Sequence, residues 1–216
     1  MPPVVRRPLR SRNTRWAALA AERLKRLGAT PNQISLASIV FAALGGAALA
    51  LGPTTAPMER IALLIVAAGC IQLRLLCNLL DGMVAVEGGL RTRSGELFND
   101  LPDRVSDALI LVGAGYSLTW PAWGDQLGWS AALLAVMTAY VRLLGASMGA
   151  GQQFCGPMAK PHRMALLTAA CLLGGFEAAL GMEGRVMALA LALIVVGCVV
   201  TVIRRVRRIL RAVEAG

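Results

Sequence analysis

The chain has 216 residues, 56% of them apolar and 16% charged, with a mean hydropathy of +0.63. That composition excludes an ordinary soluble domain and describes a single integral membrane domain. Twenty-two Lys and Arg against twelve Asp and Glu leave a formal charge of +10; its clustering at the ends and in particular loops, with no nucleic-acid recognition motif, points to anionic lipid headgroups.

The amino end carries Arg6, Arg7, Arg10, Arg12, Arg15, Arg23, Lys25 and Arg26, interrupted by Trp16, Ala17, Leu19, Ala20, Leu24 and Leu27. From Trp16 onward this pattern predicts an amphipathic helix lying in the headgroup region. No cleavable signal peptide is expected, because the first strongly apolar run follows some thirty Arg-rich residues. Gly28 ends the interfacial helix, and Thr30 or Asn32 is suited to cap the next.

Spanning runs follow at 34–51, 61–80, 97–119, 129–148, 164–180 and 186–203. At ~1.5 Å per residue, about 20 residues cross a hydrocarbon core of about 30 Å. The expected fold is an all-α integral membrane protein of six transmembrane helices with an N-terminal amphipathic interfacial helix. It divides into a basic arm with that helix (1–30), the membrane domain (31–203) and a basic tail (204–216).

Basic residues recur on alternate sides: the amino end, Arg91 and Arg93, then Lys160, His162 and Arg163, then Arg204, Arg205, Arg207, Arg208 and Arg211. The intervening loops at 52–60, 120–128 and 181–185 hold only Arg60 and Arg185. The positive-inside bias then places both termini and the polar 78–103 stretch on the cytoplasmic face, with a bacterial inner membrane as the expected location. Gly45, Gly46, Gly113, Gly115 and the Gly145/Gly149 pair permit close helix packing, which any compact bundle uses. Cys70, Cys77, Cys171 and Cys198 lie in apolar runs and Cys155 in a loop; without paired spacing they predict neither disulfides nor a zinc site. Glu177, isolated near the outer end of the fifth span, is expected to reach water, and His162, the lone histidine, to sit at the interface.

Residues 78–107 concentrate the chemistry. Asn78 and Asp81 are three apart and Asn99 and Asp103 four apart, so each pair shares a helical face. Gly82, Gly88, Gly89 and Gly95 lie between them. This stretch resembles the CDP-alcohol phosphotransferases, whose pattern is D-x-x-D-G-x-x-A-R, eight residues, then G-x-x-x-D-x-x-x-D. Asp81, Gly82, Ala85, Gly95 and Asp103 fall in register, whereas Asn78, Val86 and Asn99 stand where the family has Asp, Arg and Asp.

The resemblance covers residues 28 to about 165. It implies transfer of a substituted phosphate, phosphatidyl from CDP-diacylglycerol or the group of another CDP-alcohol, to an alcohol with release of CMP, in phospholipid synthesis and as a homodimer. Clustered intramembrane carboxylates hold cations, and hard oxygen donors facing a diphosphate suit Mg²⁺ or Mn²⁺, one or two ions. Asp81 and Asp103 would be the anionic ligands and Asn78 and Asn99 the neutral ones, with Asp100 or Asp107 available to compensate for the missing charge. By resemblance Asp103 is also the general base on the acceptor hydroxyl. Gly82, Ala85 and Gly95, with Pro31 and Asn32, would border the nucleotide, and Arg91 or Arg93 would replace the charge absent at Val86. Arg142, Arg163 and Lys160 resemble positions that hold a phosphate on the acceptor, favouring a phosphorylated or otherwise anionic alcohol. Arg74, embedded four residues before Asn78, would neutralise the acidic cluster or hold a phosphate. The competing reading is a non-catalytic lipid- or nucleotide-binding member of the same fold.

Overall fold

In the computed structural model, residues 14–87, 95–182 and 184–214 are described. The expectations for Arg6 to Arg12, Gly88, Gly89, Arg91 and Arg93, and for the Val86 side chain, lie outside the described residues. Among the described residues the chain is helical, with no strand: α1 Arg15–Arg26, α2 Pro31–Leu51, α3 Pro57–Glu87, α4 Gly95–Tyr116, α5 Gly124–Ser147, α6 Lys160–Ala179 and α7 Arg185–Glu214. Segments within α2, α3, α5 and α7 are long and apolar enough to cross a membrane. Helices α4 and α6 have comparable lengths, but their first turns carry the charged residues considered below.

Helix α1 is amphipathic with a narrow buried stripe. Ala17 and Ala21 pack with Ile34 of α2 and with Leu79, Leu80, Met83 and Val84 of α3. Its basic residues and Trp16 face outward, and Arg26 pairs with Glu22 at 2.5 Å. Thr30 then caps α2: its hydroxyl accepts from the Gln33 N–H at 3.3 Å, and the Gln33 side chain accepts from the Thr30 N–H at 3.0 Å. This reciprocal box fixes the turn that carries Pro31 and Asn32.

Helix α2 packs against both α3 and α4, α4 against α5, α3 against α6, and α5 and α6 against α7. Small residues set the closest crossings. A Cβ on Gly113 would strike the Gly46 backbone, and one on Gly115 would lie 2.7 Å from the Gly128 Cα. The main chains therefore touch at the α2/α4 and α4/α5 crossings, so α4 is clamped on two sides by backbone contact. Gly145 serves α5/α7 packing in the same way, meeting Ile209.

Three sequence expectations are corrected here. Glu177 does not simply reach water: it is buried and accepts from the Val186 N–H at 3.1 and 3.2 Å, capping the start of α7. Helix α3 continues past residue 80, the expected end of the apolar run, to Glu87, so Asn78 and Asp81 lie on its last turns. The basic segment after residue 203 likewise continues α7 without a break to Glu214.

Replacing Gly113 by Leu forces α2 and α4 apart, and overpacking of this kind costs about 1–3 kcal/mol. Thermal unfolding in detergent is expected to show a clear loss for Gly113→Leu. Gly69→Leu, where an added Cβ meets nothing within 4 Å, should change little.

Candidate active site

Helix α4 places a column of carboxylates against α3, α5 and α6. Asp107, Asp103 and Asp100 follow one another by about one turn. Their side chains are 2%, 10% and 29% exposed in that order, and Asn99 beyond them is exposed. This gradient shows which way the site opens: Asp107 is its floor and the start of α4 its rim.

At the floor, Asp107 lies between two buried guanidinium groups. Arg74 of α3 donates to its Oδ1 at 2.5 Å and Arg163 of α6 to its Oδ2 at 2.6 Å. Arg74 also donates to the Asp103 carbonyl at 3.2 Å, and Arg163 to the Met158 carbonyl at 3.1 Å. Arg74 therefore neutralises the acidic column, the first of the two roles its position allowed. Arg163 is committed to the interior as well, with 1% of the residue exposed.

One turn up, Asp103 is surrounded by donors. The Asn78 amide donates to Oδ1, the Lys160 ammonium lies 2.5 Å from Oδ2, and Arg104 and Arg74 stand at 3.6 and 3.7 Å. Asn78 is thus a hydrogen-bond donor to the carboxylate that an Asp in its place would repel. Asp81, one turn along α3 from Asn78, accepts from the Ser35 hydroxyl of α2 at 2.5 Å. Its Oδ1 is buried without a hydrogen-bond partner among the described residues. An unpartnered carboxylate oxygen is costly in such a place, and it is the atom in the site that most requires a cation.

At the rim, Asp100 accepts from Arg142 of α5 at 2.9 and 3.1 Å, and that guanidinium lies 5.7 Å from the centroid of Phe154. Neither carboxylate considered as a substitute for the missing charges is free, because Asp100 is bound to Arg142 and Asp107 to Arg74 and Arg163. Gly82, Ala85 and Gly95 are partly exposed on the ends of α3 and α4, and Pro31 and Asn32 at the start of α2. Lys160 opens α6 beside Asp103, whereas His162 is exposed on the same first turn.

Two participants are not evident from the sequence pattern. Ser35 and Ser38 are the only hydroxyl residues in α2, both are buried, and Ser35 orients Asp81. Arg205 of α7 donates to the Cys155 carbonyl at 3.0 Å and to the Thr138 carbonyl, fixing the loop between α5 and α6. Its signal is phase: Arg205 shares a helical face with Cys198, Thr201 and Ile209, opposite the neighbouring arginines.

Five cations, Arg74, Arg104, Arg142, Lys160 and Arg163, thus face four carboxylates, Asp81, Asp100, Asp103 and Asp107. The cluster carries net positive charge, which suits anionic ligands. Among the described residues, no three His, Cys, Asp or Glu side chains are grouped to hold a metal ion. Any ion here would rely on the carboxylates of Asp81 and Asp103 together with amide oxygen.

No family model matches the sequence, and no curated protein does. Solved structures do match in fold. Phosphatidylinositol phosphate synthase of Mycobacterium tuberculosis, in complex with manganese and citrate, aligns with a TM-score of 0.73 at 20% identity over 90% of this chain and 88% of that one. The same enzyme with CDP-DAG bound aligns at 0.73 and 21% over 91% and 94%. Its apo form aligns at 0.67 and 22% over 89% and 95%. The chain therefore has the fold of that membrane synthase along nearly its whole length.

The floor of the site yields a stability test. Asp107→Asn leaves Arg74 and Arg163 buried without their counter-charge, and breaking a buried pair from one side costs about 3–5 kcal/mol. The variant is expected to lose most of its thermal stability in detergent, while Glu22→Gln, in the exposed pair on α1, should lose less than about 1 kcal/mol.

Proposed function

We propose that the protein transfers a phosphatidyl group from CDP-diacylglycerol to an alcohol and releases CMP, as a CDP-alcohol phosphotransferase. The observation that carries this reading is the approach of Asp81 and Asp103, from separate helices, in one side-chain cluster with Asn78, Lys160 and Ser35. The register of Gly82, Ala85 and Gly95 with the family pattern supports it, as does the shared fold with a synthase solved with CDP-DAG bound.

The residues fit one divalent ion better than two. Asp81 offers an unpartnered buried oxygen, Asp103 already has donors at both oxygens, and Asn99 is exposed. Mg²⁺ or Mn²⁺ held by Asp81, Asp103 and the Asn78 carbonyl would neutralise the diphosphate and make CMP a better leaving group. A solved neighbour contains manganese, which supports a divalent ion in this fold.

The chain's own groups would do the rest. Asp103 accepts the proton of the acceptor hydroxyl as its oxygen attacks the β-phosphorus and the bond to CMP breaks. Lys160, 2.5 Å from Asp103, occupies that oxygen while it stays there. An anionic acceptor draws Lys160 away and so releases Asp103 only when the acceptor is in place. Arg142 at the rim shares in gripping that anion, and Arg163 supports the site from below through Asp107. Gly82, Ala85, Gly95, Pro31 and Asn32 leave room for the nucleotide. The orientation that suits this chemistry has six spans, with both termini and the site on the cytoplasmic side of a bacterial inner membrane. The basic ends of α1, α6 and α7 support it. Assembly as a homodimer belongs to the same reading.

The occupied state of Asp103 and the two Asn substitutions favour a second reading, a member of the fold that binds CDP-lipid without turnover. CMP release separates the two. Purified protein with CDP-diacylglycerol, Mn²⁺ and a panel of plain and phosphorylated alcohols is expected to release CMP with a phosphorylated acceptor. Absence of CMP across the panel would leave the binding reading.

Asp103→Asn should lower turnover by about 10²–10⁴-fold, the usual contribution of a positioned base, while the protein stays folded with a smaller melting loss than Asp107→Asn. Asn78→Asp removes the donor to Asp103 and adds a carboxylate, so it should melt lower without metal and gain more on adding Mn²⁺ than the parent does. An equal Mn²⁺ shift in both proteins would remove Asn78 from the metal site.

A further inference from the structure

Beyond the acidic column, α7 carries a second group of cations with no established role. Arg204, Arg207, Arg208 and Arg211 recur at i, i+3, i+4 and i+7, so they share one helical face. With Cys155 and Gly156 of the α5–α6 loop they line a cleft of about 370 Å³. Arg74, Arg104, Arg142 and Arg163 are all paired with carboxylates, and Arg205 points inward to backbone carbonyls. The four cleft arginines have neither kind of partner among the described residues.

The opposite wall is rigidly held. Gly156 has φ +114°, a conformation open to glycine, and a Cβ there would lie 2.5 Å from the Thr201 methyl. The Met158 N–H donates to the Thr201 hydroxyl at 3.0 Å, and Arg205 holds the Cys155 carbonyl. Four exposed like charges, with no carboxylate partner among the described residues, therefore line an open concavity whose opposite wall is held in place. A solvated basic face would spread its charges apart and have no wall opposite them.

We infer that this cleft is a binding site for a phosphate group, separate from the site around Asp103. Guanidinium forks match phosphate oxygens two at a time, and four of them suit a group carrying one to two negative charges with an organic substituent. A volume of about 370 Å³ lies in the range of small-ligand sites. The phosphate can come from the headgroup of an anionic phospholipid in the adjoining leaflet or from a soluble phosphorylated compound. The inference stands on the cleft alone and does not depend on catalysis at Asp103.

The test uses the full chain in nanodiscs of phosphatidylcholine. One arm titrates glycerol 3-phosphate by calorimetry. The other raises the fraction of phosphatidylglycerol and counts retained lipids by native mass spectrometry. Saturable binding of one phosphate ligand per chain is expected in at least one arm, and the arm that saturates identifies the source. Arg207→Gln with Arg211→Gln should weaken it by about tenfold or more, since each charged hydrogen bond is worth about that factor. Arg207→Lys with Arg211→Lys should recover only part, because charge is kept and the fork is lost. Arg15→Gln with Arg23→Gln, exposed on α1, removes the same charge and should change nothing. All four positions changed in the cleft and control pairs are exposed, so folding is not at stake. The inference is overturned if neither arm saturates, or if the α1 pair weakens binding as much as the cleft pair.

Discussion

A carboxylate gripped from both sides by guanidinium groups in an apolar bundle holds three helices in one register. Asp107 belongs to α4, Arg74 to α3 and Arg163 to α6, and each partner is almost wholly removed from solvent. Two cations against one anion leave the triad positive. Arg74 answers this by also donating to the Asp103 carbonyl, and Arg163 by donating to the Met158 carbonyl. Through those second bonds the triad fixes the turn that carries Asp103 and the residues that lead into Lys160. The geometry of the upper site is in that sense set from below.

The two asparagines take on a different meaning in this frame. Four carboxylates facing each other would need cations merely to coexist. With Asn78 donating to Asp103 and Lys160 paired to it, both oxygens of Asp103 have donors, whereas one oxygen of Asp81 and the remaining nitrogens of Arg74 and Arg163 are buried without a partner among the described residues. Under the proposed reading, an incoming diphosphate would supply the negative charge that the asparagines omit. Positive excess in the pocket and scarcity of anionic ligands are two aspects of one substitution pattern.

Much of the fold was legible in hydropathy, because apolar runs of about 20 residues have few alternatives in a bilayer. Each of the six runs read from the sequence falls within a helix or ends within a few residues of one. The end of α3 was not legible, since the apolar run read from the sequence stops at residue 80, just before Asp81, while the helix continues to Glu87. Spacing and family register singled out Asp81 and Asp103 as residues of one candidate site. They did not single out the partners of those groups: Ser35, Arg205 and the commitment of Asp100 to Arg142 depend on which helices are neighbours, and no local pattern encodes that. Glu177 was misread for the same reason, its partner being the first turn of the next helix.

The triad also bears on how such a chain enters a bilayer. Helices α4 and α6 fall outside the group apolar enough to cross by themselves, and each contributes one member of the triad. Under the six-span reading, neither is stable in lipid until Arg74 arrives on α3 and the charges close on one another. Insertion would then be cooperative: α2, α3, α5 and α7 partition as independent segments, and the two polar helices are drawn in afterwards as a matched set. Loss of any one charge would leave the other two unmatched in the bundle, where unpaired charge is costly.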